Sequence, residues 1–295
     1  MATITTTTEN FPKELVTDVF SKVKGHSSLA KLANQTPVPF AGTTQFVFSM
    51  DGEAAIVGEG AKKPAGDAAF TAVSITPIKF VYQHRLTDEF VSMAEEQQLP
   101  YLQAFTDGFA TKMARALDIA AMHGLNPATG TAVDALASKN FDMASVGKIE
   151  TTAGAEDDDI DSAVQAIVAA GGTVTGLAMA PAFGASLAKI KVNGVTQYPE
   201  FRFGQNPAAF YGMTSDVNNT VSFGTSDDLA IIGDFQNAFR WGYAEDVPCE
   251  VIQYGDPDGL GDLKQQNQIV LRAEAYLGWG ILDASYFKKI VKKAG

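Results

Sequence analysis

Residues 57–80 read VGEGAKKPAGDAAFTAVSITPIKF, and the parsing of this stretch decides the fold. Gly58, Gly60, Pro64 and Gly66 punctuate its first half, with Lys62 and Lys63 between them. Upstream, Thr44 to Val57 reads as a strand; downstream, TAVSITPIKFVYQHRL (71–86) reads as a second one. Two β-prone runs joined by a Gly-, Pro- and Lys-rich tip predict a long hairpin. Large apolar side chains are scarce towards its far end, so the ribbon would be marginal alone in water and is expected to lean on another surface.

The segment before the hairpin, to about Gly42, is rich in Thr, Ser and Lys and contains Pro37 and Pro39. Its one apolar-periodic piece, Phe11, Leu15, Val16, Val19 and Phe20, predicts a single short helix, and the prolines disfavour helix from Thr36 to Phe40. An extended arm results, with little reason to pack on its own chain. The opening MATITTTTENFP lacks a basic start followed by an apolar run, so it does not read as a secretion signal.

Beyond the hairpin, Tyr101, Phe105, Phe109, Met113, Leu117 and Ala121 recur every four residues between Pro100 and Gly124. Proline suits a first turn and glycine suits a helix end, so a helix is predicted over 100–124. At 1.5 Å per residue it would span roughly 36 Å, the length of a rigid spine. The acidic cluster Asp157 to Asp161 precedes Ala163, Val164, Ile167 and Val168, with Gly171 and Gly172 after them; this reads as carboxylates offsetting a helix dipole and capping its free amides, with glycine ending the helix. TVTGLAMAP reads as a strand and PAFGASLAKIK as a helix ending at the Asn193-Gly194 turn signal.

A Pro- and Gly-punctuated loop (198–212) follows, then the strand-like LAIIGDF, FRWGYA and CEVIQY, an exposed turn-rich segment GDPDGLGDLKQQNQ, and the alternating NQIVLRAEAYLGWGIL. In this last run Ile269, Leu271, Ala273, Ala275 and Leu277 alternate with Arg272 and Glu274, the pattern of a half-buried strand. Helices and strands interleave, which implies a mixed α/β unit.

The chain has 295 residues, 46% hydrophobic and 19% charged, within the range of folded domains. Its formal charge of -12 argues against a surface that neutralises phosphates along a duplex, while a container wall for packed DNA is compatible with acidity. A lone cysteine, Cys249, excludes an intrachain disulfide framework and reads as a small residue in a strand. No apolar run approaches the roughly 20 residues of a membrane-spanning helix, and a soluble, cytoplasm-made protein is expected.

A search for catalytic chemistry finds little. His26, His84 and His123 have no second ligand at helical or hairpin spacing, so no metal centre is expected. No nucleophile elbow or P-loop occurs, and Gly58-Glu59-Gly60 lacks the third glycine and the strand-to-helix context of a dinucleotide fingerprint. Asp256, Asp258 and Asp262 lack the closing acidic ligand of a calcium loop and read as turn chemistry. Lys288, Lys289, Lys292 and Lys293 could touch nucleic acid; a solvated end, or cations at a helix C-terminus, is the plainer reading.

Taken in order, the segments resemble the tailed-phage major capsid family with the Hong Kong 97-type fold, from about Thr36 to the end. TPVPFAG, the G-E-G tip, the returning V-x-x-x-P-x-K strand, and RLTDEFVSM followed by LPYLQAFTDGFATKMARALDIAAMHG match the family's entry, hairpin, hinge and spine helix. DDIDSAVQAIVAAGG, LAMAPAFGASLAKIK, the Gly212 turn, LAIIGDF and IVLRAEAYLGWGILDASYF continue its order.

The resemblance implies an α+β fold in four parts: an N-terminal arm (1–42), an extended hairpin loop (43–85), a peripheral domain with the spine helix (86–149 and 266–295), and a mixed α/β axial domain (150–265). It implies pentamers and hexamers closing into an icosahedral shell around double-stranded DNA, made in the bacterial cytoplasm and found in the virion. Catalysis, cofactor, metal and membrane are not expected. Glu59, Lys62 and Lys63 at the hairpin tip are the candidate contacts with a neighbouring subunit. Partners would be the chain itself, with scaffold, portal and decoration proteins possible. Because Met1 opens almost directly into the arm, a separate scaffold or none is expected. An encapsulin-like compartment holding protein cargo is the alternative with the same fold.

Overall fold

Apolar residues at every second position from Ile269 draw Gln268–Ile281 into one 14-residue strand, about 46 Å long at 3.3 Å per residue. A computed structural model describes residues 26–51, 54–63, 65–93, 95–244 and 249–293. In chain order the strands are β1 (Thr43–Asp51), β2 (Asp67–Ile75), β3 (Ile78–Thr87), β4 (Gly147–Glu150), β5 (Gly176–Met179), β6 (Lys191–Val192), β7 (Val195–Thr196), β8 (Ala209–Phe210), β9 (Met213–Val217), β10 (Asp228–Gly233), β11 (Phe239–Tyr243), β12 (Cys249–Ile252), β13 (Gln268–Ile281) and β14 (Phe287–Val291). The helices are α1 (Ser28–Leu32), α2 (Glu89–Ser92), α3 (Glu95–His123), α4 (Glu156–Ala169) and α5 (Pro181–Leu187). The short helix expected over 11–20 lies outside the described residues.

Strand β13 pairs β3 along one edge, while β11 and β12 share its other edge, all antiparallel. A second sheet has the order β4-β14-β10-β5-β9-β8, with β4 and β14 parallel, β5 and β9 parallel, and the other pairs antiparallel. Between the two sheets lies the main core, where Phe109, Met113 and Leu117 of α3 meet Ala275, Leu277, Trp279 and Phe287. A second cluster packs α4, α5 and Phe201 onto β5 and β10 through Ile160, Ile167, Phe183, Leu187, Leu177 and Ile232.

The long helix is confirmed but begins at Glu95, so Pro100 lies inside it rather than in its first turn. Its 29 residues span about 44 Å. Gly124 at φ 65° ends it, with its amide on the Ala120 carbonyl. Helix α4 begins at Glu156 and is closed by Gly171 at φ 81°. The expected cap is not formed by the acids, since the N-cap residue is Ala155 and no side chain caps the helix; instead Asp157 accepts from the Asp158 amide, and Asp159 turns back to Thr151 Oγ1 (2.8 Å) and the Thr152 amide (2.9 Å). The helix expected to end at Asn193-Gly194 stops at Leu187, because those two residues, at φ 51° and 81°, instead turn the β6–β7 hairpin.

Two expectations need larger correction. The run 71–86 is not one strand: Pro77 cannot donate to a ladder, so β2 stays with β1 and β3 joins β13 in another sheet. Likewise, the latter half of the arm packs on its own chain, since Leu29, Leu32 and Val38 are buried. Thr36 and Val38 donate backbone amides to Trp241 and Tyr243, alongside β11. Gly242 makes this possible, because a Cβ there would stand 1.7 Å from the Thr36 carbonyl oxygen.

Candidate assembly surface

Strands β1 and β2 form a two-stranded ribbon, in register from Thr43↔Ile75 to Asp51↔Asp67. Its root is fixed: Ile75 is 1% exposed and sits where side chains at Gly278 and Gly280 would crowd it. Farther out no other described strand pairs with the ribbon. Phe46 and Phe48 alternate on β1, and Phe48 faces Phe70 across the ladder, so all three rings share one face. They are 71%, 50% and 73% exposed, with the Phe48 and Phe70 centroids 4.7 Å apart. The sequence reading missed this ring-bearing face; the i, i+2 spacing of Phe46 and Phe48 was the available signal.

At the tip, residues 54–63 are all exposed. Glu59, Lys62 and Lys63 lie on this segment, and none forms an ion pair with another described residue. Ile56 beside them is fully exposed. The three charged side chains share one loop but are not gathered into a site within a single copy.

Two acids, Asp118 and Asp216, anchor the arm. Asp118, fully buried on α3, accepts from Ser27 Oγ (2.5 Å), the Ser28 amide (3.0 Å), the Leu29 amide (3.2 Å) and Thr220 Oγ1 (2.9 Å). Burial pushes its carboxyl up to about 6, against the pull of these donors. Ser27 takes the Ala30 amide at 3.1 Å, so the first three amides of α1 are all satisfied. Beside it Asp216 receives Ser28 Oγ, Lys31 Nζ and Asn206 Nδ2. Asp118 could have been noticed in the sequence as the one acid on the row Ala110, Ala114, Met122, which is otherwise apolar and buried.

Behind the arm lies a charge cluster, buried except at Asp142, that overturns two expectations. His123 is not isolated: Nδ1 is 3.1 Å from Asp142 Oδ2 and 3.6 Å from Asp228 Oδ2, and Nε2 is 2.9 Å from the Thr220 carbonyl. Both ring nitrogens therefore face acceptors. Burial acts to lower its pKa, yet the Asp142 bond and charge leave it raised. Lys289, expected in a solvated basic end, is 1% exposed on β14 and pairs with Asp142 and Asp228. The histidine and the two carboxylates have the mutual spacing of a metal site, within 4.8 Å, but the Lys289 ammonium takes the place of a cation between them. Asp142 is held well below the carboxylate range: burial opposes this, and His123 and Lys289 overcome it.

The loop 255–268 is likewise ordered by one cation. Arg85 on β3 grips both carboxylate oxygens of Asp258 and donates to the Gly261 carbonyl (2.9 Å), Gln266 Oε1 (2.7 Å) and Gln268 Oε1 (2.9 Å). This hydrogen bonding lowers the Asp258 carboxyl to about 2. Asp262 accepts from the Gln265 amide, as turn chemistry requires.

This mixed α/β body with a projecting ribbon has known counterparts. The model of the phage capsid family matches residues 11–292. A solved chain from "Mycobacterium phage Ogopogo" is similar at 31% identity and TM-score 0.77, covering 91% of this chain and 92% of that one. One from "Gordonia phage Cozz" is 26% identical with TM-score 0.76, covering 91% and 87%. At 16% identity, the "Capsid of native GTA particle computed with C5 symmetry" shares the fold, with TM-score 0.62 and 90% of each chain covered. No curated protein sequence matches. The fold is that of a structural shell protein, and the chain belongs to the phage capsid family.

Proposed function

We propose that this chain is the major capsid protein of a tailed phage, forming pentamers and hexamers that close into an icosahedral shell around double-stranded DNA. The observation that carries the proposal is the ribbon: three phenylalanine rings at 50–73% exposure on one face of a two-stranded sheet that no other described strand joins. Burying such a ring is worth about 1.5–3 kcal/mol. A neighbouring copy supplies the cover. Modest contacts of this kind, repeated around a shell, add through multivalency and still allow misplaced subunits to leave.

In this reading residues 1–42 form the arm, 43–85 the extended hairpin loop, 86–149 with 266–295 the peripheral domain, and 150–265 the axial domain of a Hong Kong 97-type subunit. Glu59, Lys62 and Lys63 meet charges on the neighbour at the hairpin tip, each exposed pair contributing about 0–1 kcal/mol. The net charge of -12 suits a wall that encloses DNA without gripping its sequence. Assembly takes place in the host cytoplasm, scaffold, portal and decoration proteins are the candidate further partners, and the product is the virion shell.

Electron microscopy of the expressed protein, combined with nuclease treatment of particles from infected cells, tests the proposal. Hollow closed particles, and nuclease-protected double-stranded DNA inside those from infection, are expected. Protein cargo in place of DNA would point to a storage compartment, and a protein that stays monomeric in every condition would end the shell reading.

A further inference from the structure

Two patches at opposite ends of the parallel pair β5–β9 are opposite in charge, one presenting an exposed ring and the other a depression. One lies past the C-terminal ends of these strands, beside Pro181 and Val217. There the turn Pro199–Gly204 holds Phe203 at φ 59°, with its ring 91% exposed. A left-handed backbone is costly for a bulky residue, and Phe203 buries little surface in return within one copy. The Arg202 guanidinium sits 5.3 Å from the ring centroid, and Lys189 and Lys191 line the same depression. None of these cations has an ion-pair partner among the described residues.

The other patch lies before the N-terminal ends, beside Val174 and Met213. It is a depression of about 430 Å³, room enough for a phenyl ring, walled by Val164, Val168 and Tyr211. Asp157 and Asp161 lie on its rim, also without a cationic partner among the described residues. Tyr211, at φ 46° and 80% exposed, is a second strained aromatic left open to solvent.

Resting on the shell reading above, we infer that Phe203 and its basic collar insert into the Asp157- and Asp161-rimmed depression of an adjacent copy, and that this contact closes the capsomer ring. Two different patches on one subunit make a head-to-tail contact, which generates a ring when the rotation closes. An aromatic anchor in a pocket carries the affinity, and the opposed charges fix register.

The test compares four forms of the full chain: Lys189→Glu with Arg202→Glu, Asp157→Lys with Asp161→Lys, all four changes together, and Phe203→Ala. Native mass spectrometry reads ring formation, and thermal melting reads the fold. Each charge reversal alone should weaken self-association about tenfold or more, as should Phe203→Ala, while the fourfold variant recovers rings. Reversals or a Phe203→Ala variant that assemble like the parent would overturn the pairing, and so would a fourfold variant that folds without recovering. If the reversals lower the melting temperature, Phe203→Ala decides alone, because its ring lies outside the core. A parent chain that never self-associates brings down the shell reading together with this one, whereas intact assembly of the variants overturns the pairing alone.

Discussion

Asp118 gathers four donors inside the body, two of them backbone amides of α1 that no main-chain carbonyl reaches. Asp118→Asn keeps the shape but turns an NH₂ towards those donors; it is expected to cost about 2–3 kcal/mol in chemical denaturation and to release residues 27–38 to limited proteolysis. Lys289→Met removes the ammonium that Asp142 and Asp228 share, and about 3–5 kcal/mol should be lost in the same measurement.

Arg85 allows a pH test with a definite sign. Asp258 has its folded pKa depressed to about 2, below the roughly 3.9 of an unfolded chain. The pair therefore contributes stability that is fully present above pH of about 4 and lost as pH falls through about 2. Carboxyl NMR titration should find Asp258 near 2, returning to the ordinary range in Arg85→Met; a midpoint near 4 in the parent would refute the pairing. The partners of Asp118, Asp142 and Asp258 could not be assigned from sequence, since they lie far along the chain: 91 residues separate Ser27 from Asp118, 147 separate Asp142 from Lys289, and 173 separate Arg85 from Asp258. Lys289 was misread for a related reason, because three neighbouring lysines look like a solvated run until β14 turns one of them inward.

At the scale of elements, periodicity was the readable signal. The alternation from Ile269 to Leu277 and the fourfold stripe from Phe109 to Ala121 became β13 and α3 because each pattern matches one face of a strand or helix. Boundaries were less visible. Pro100 suggested a start, yet five residues precede it within α3, and Thr76-Pro77 parted a run whose composition was uniformly β-prone. The aromatic face of the ribbon is a matter of register as well as composition: only the Phe48↔Phe70 pairing puts the rings together. Deleting Gly58 to Gly66 should leave the melting temperature within about 2 °C of the parent, since the described residues of this segment are exposed, but should impair shell closure as seen by microscopy. Normal particles from that variant would remove the hairpin tip from assembly.

For the whole molecule, two packed sheets hold α3 and bury the latter half of the arm, while among the described residues the rings of one ribbon stay exposed. A chain completed only by its copies should show that incompleteness in the isolated state. Hydrogen–deuterium exchange across Thr43–Ile75, compared between dissociated subunits and assembled particles, measures it directly. Amides of the outer ribbon should exchange rapidly in the free subunit and at least about a hundredfold more slowly after assembly, with β13 slow in both. Equal protection of the ribbon in the two states would contradict the account.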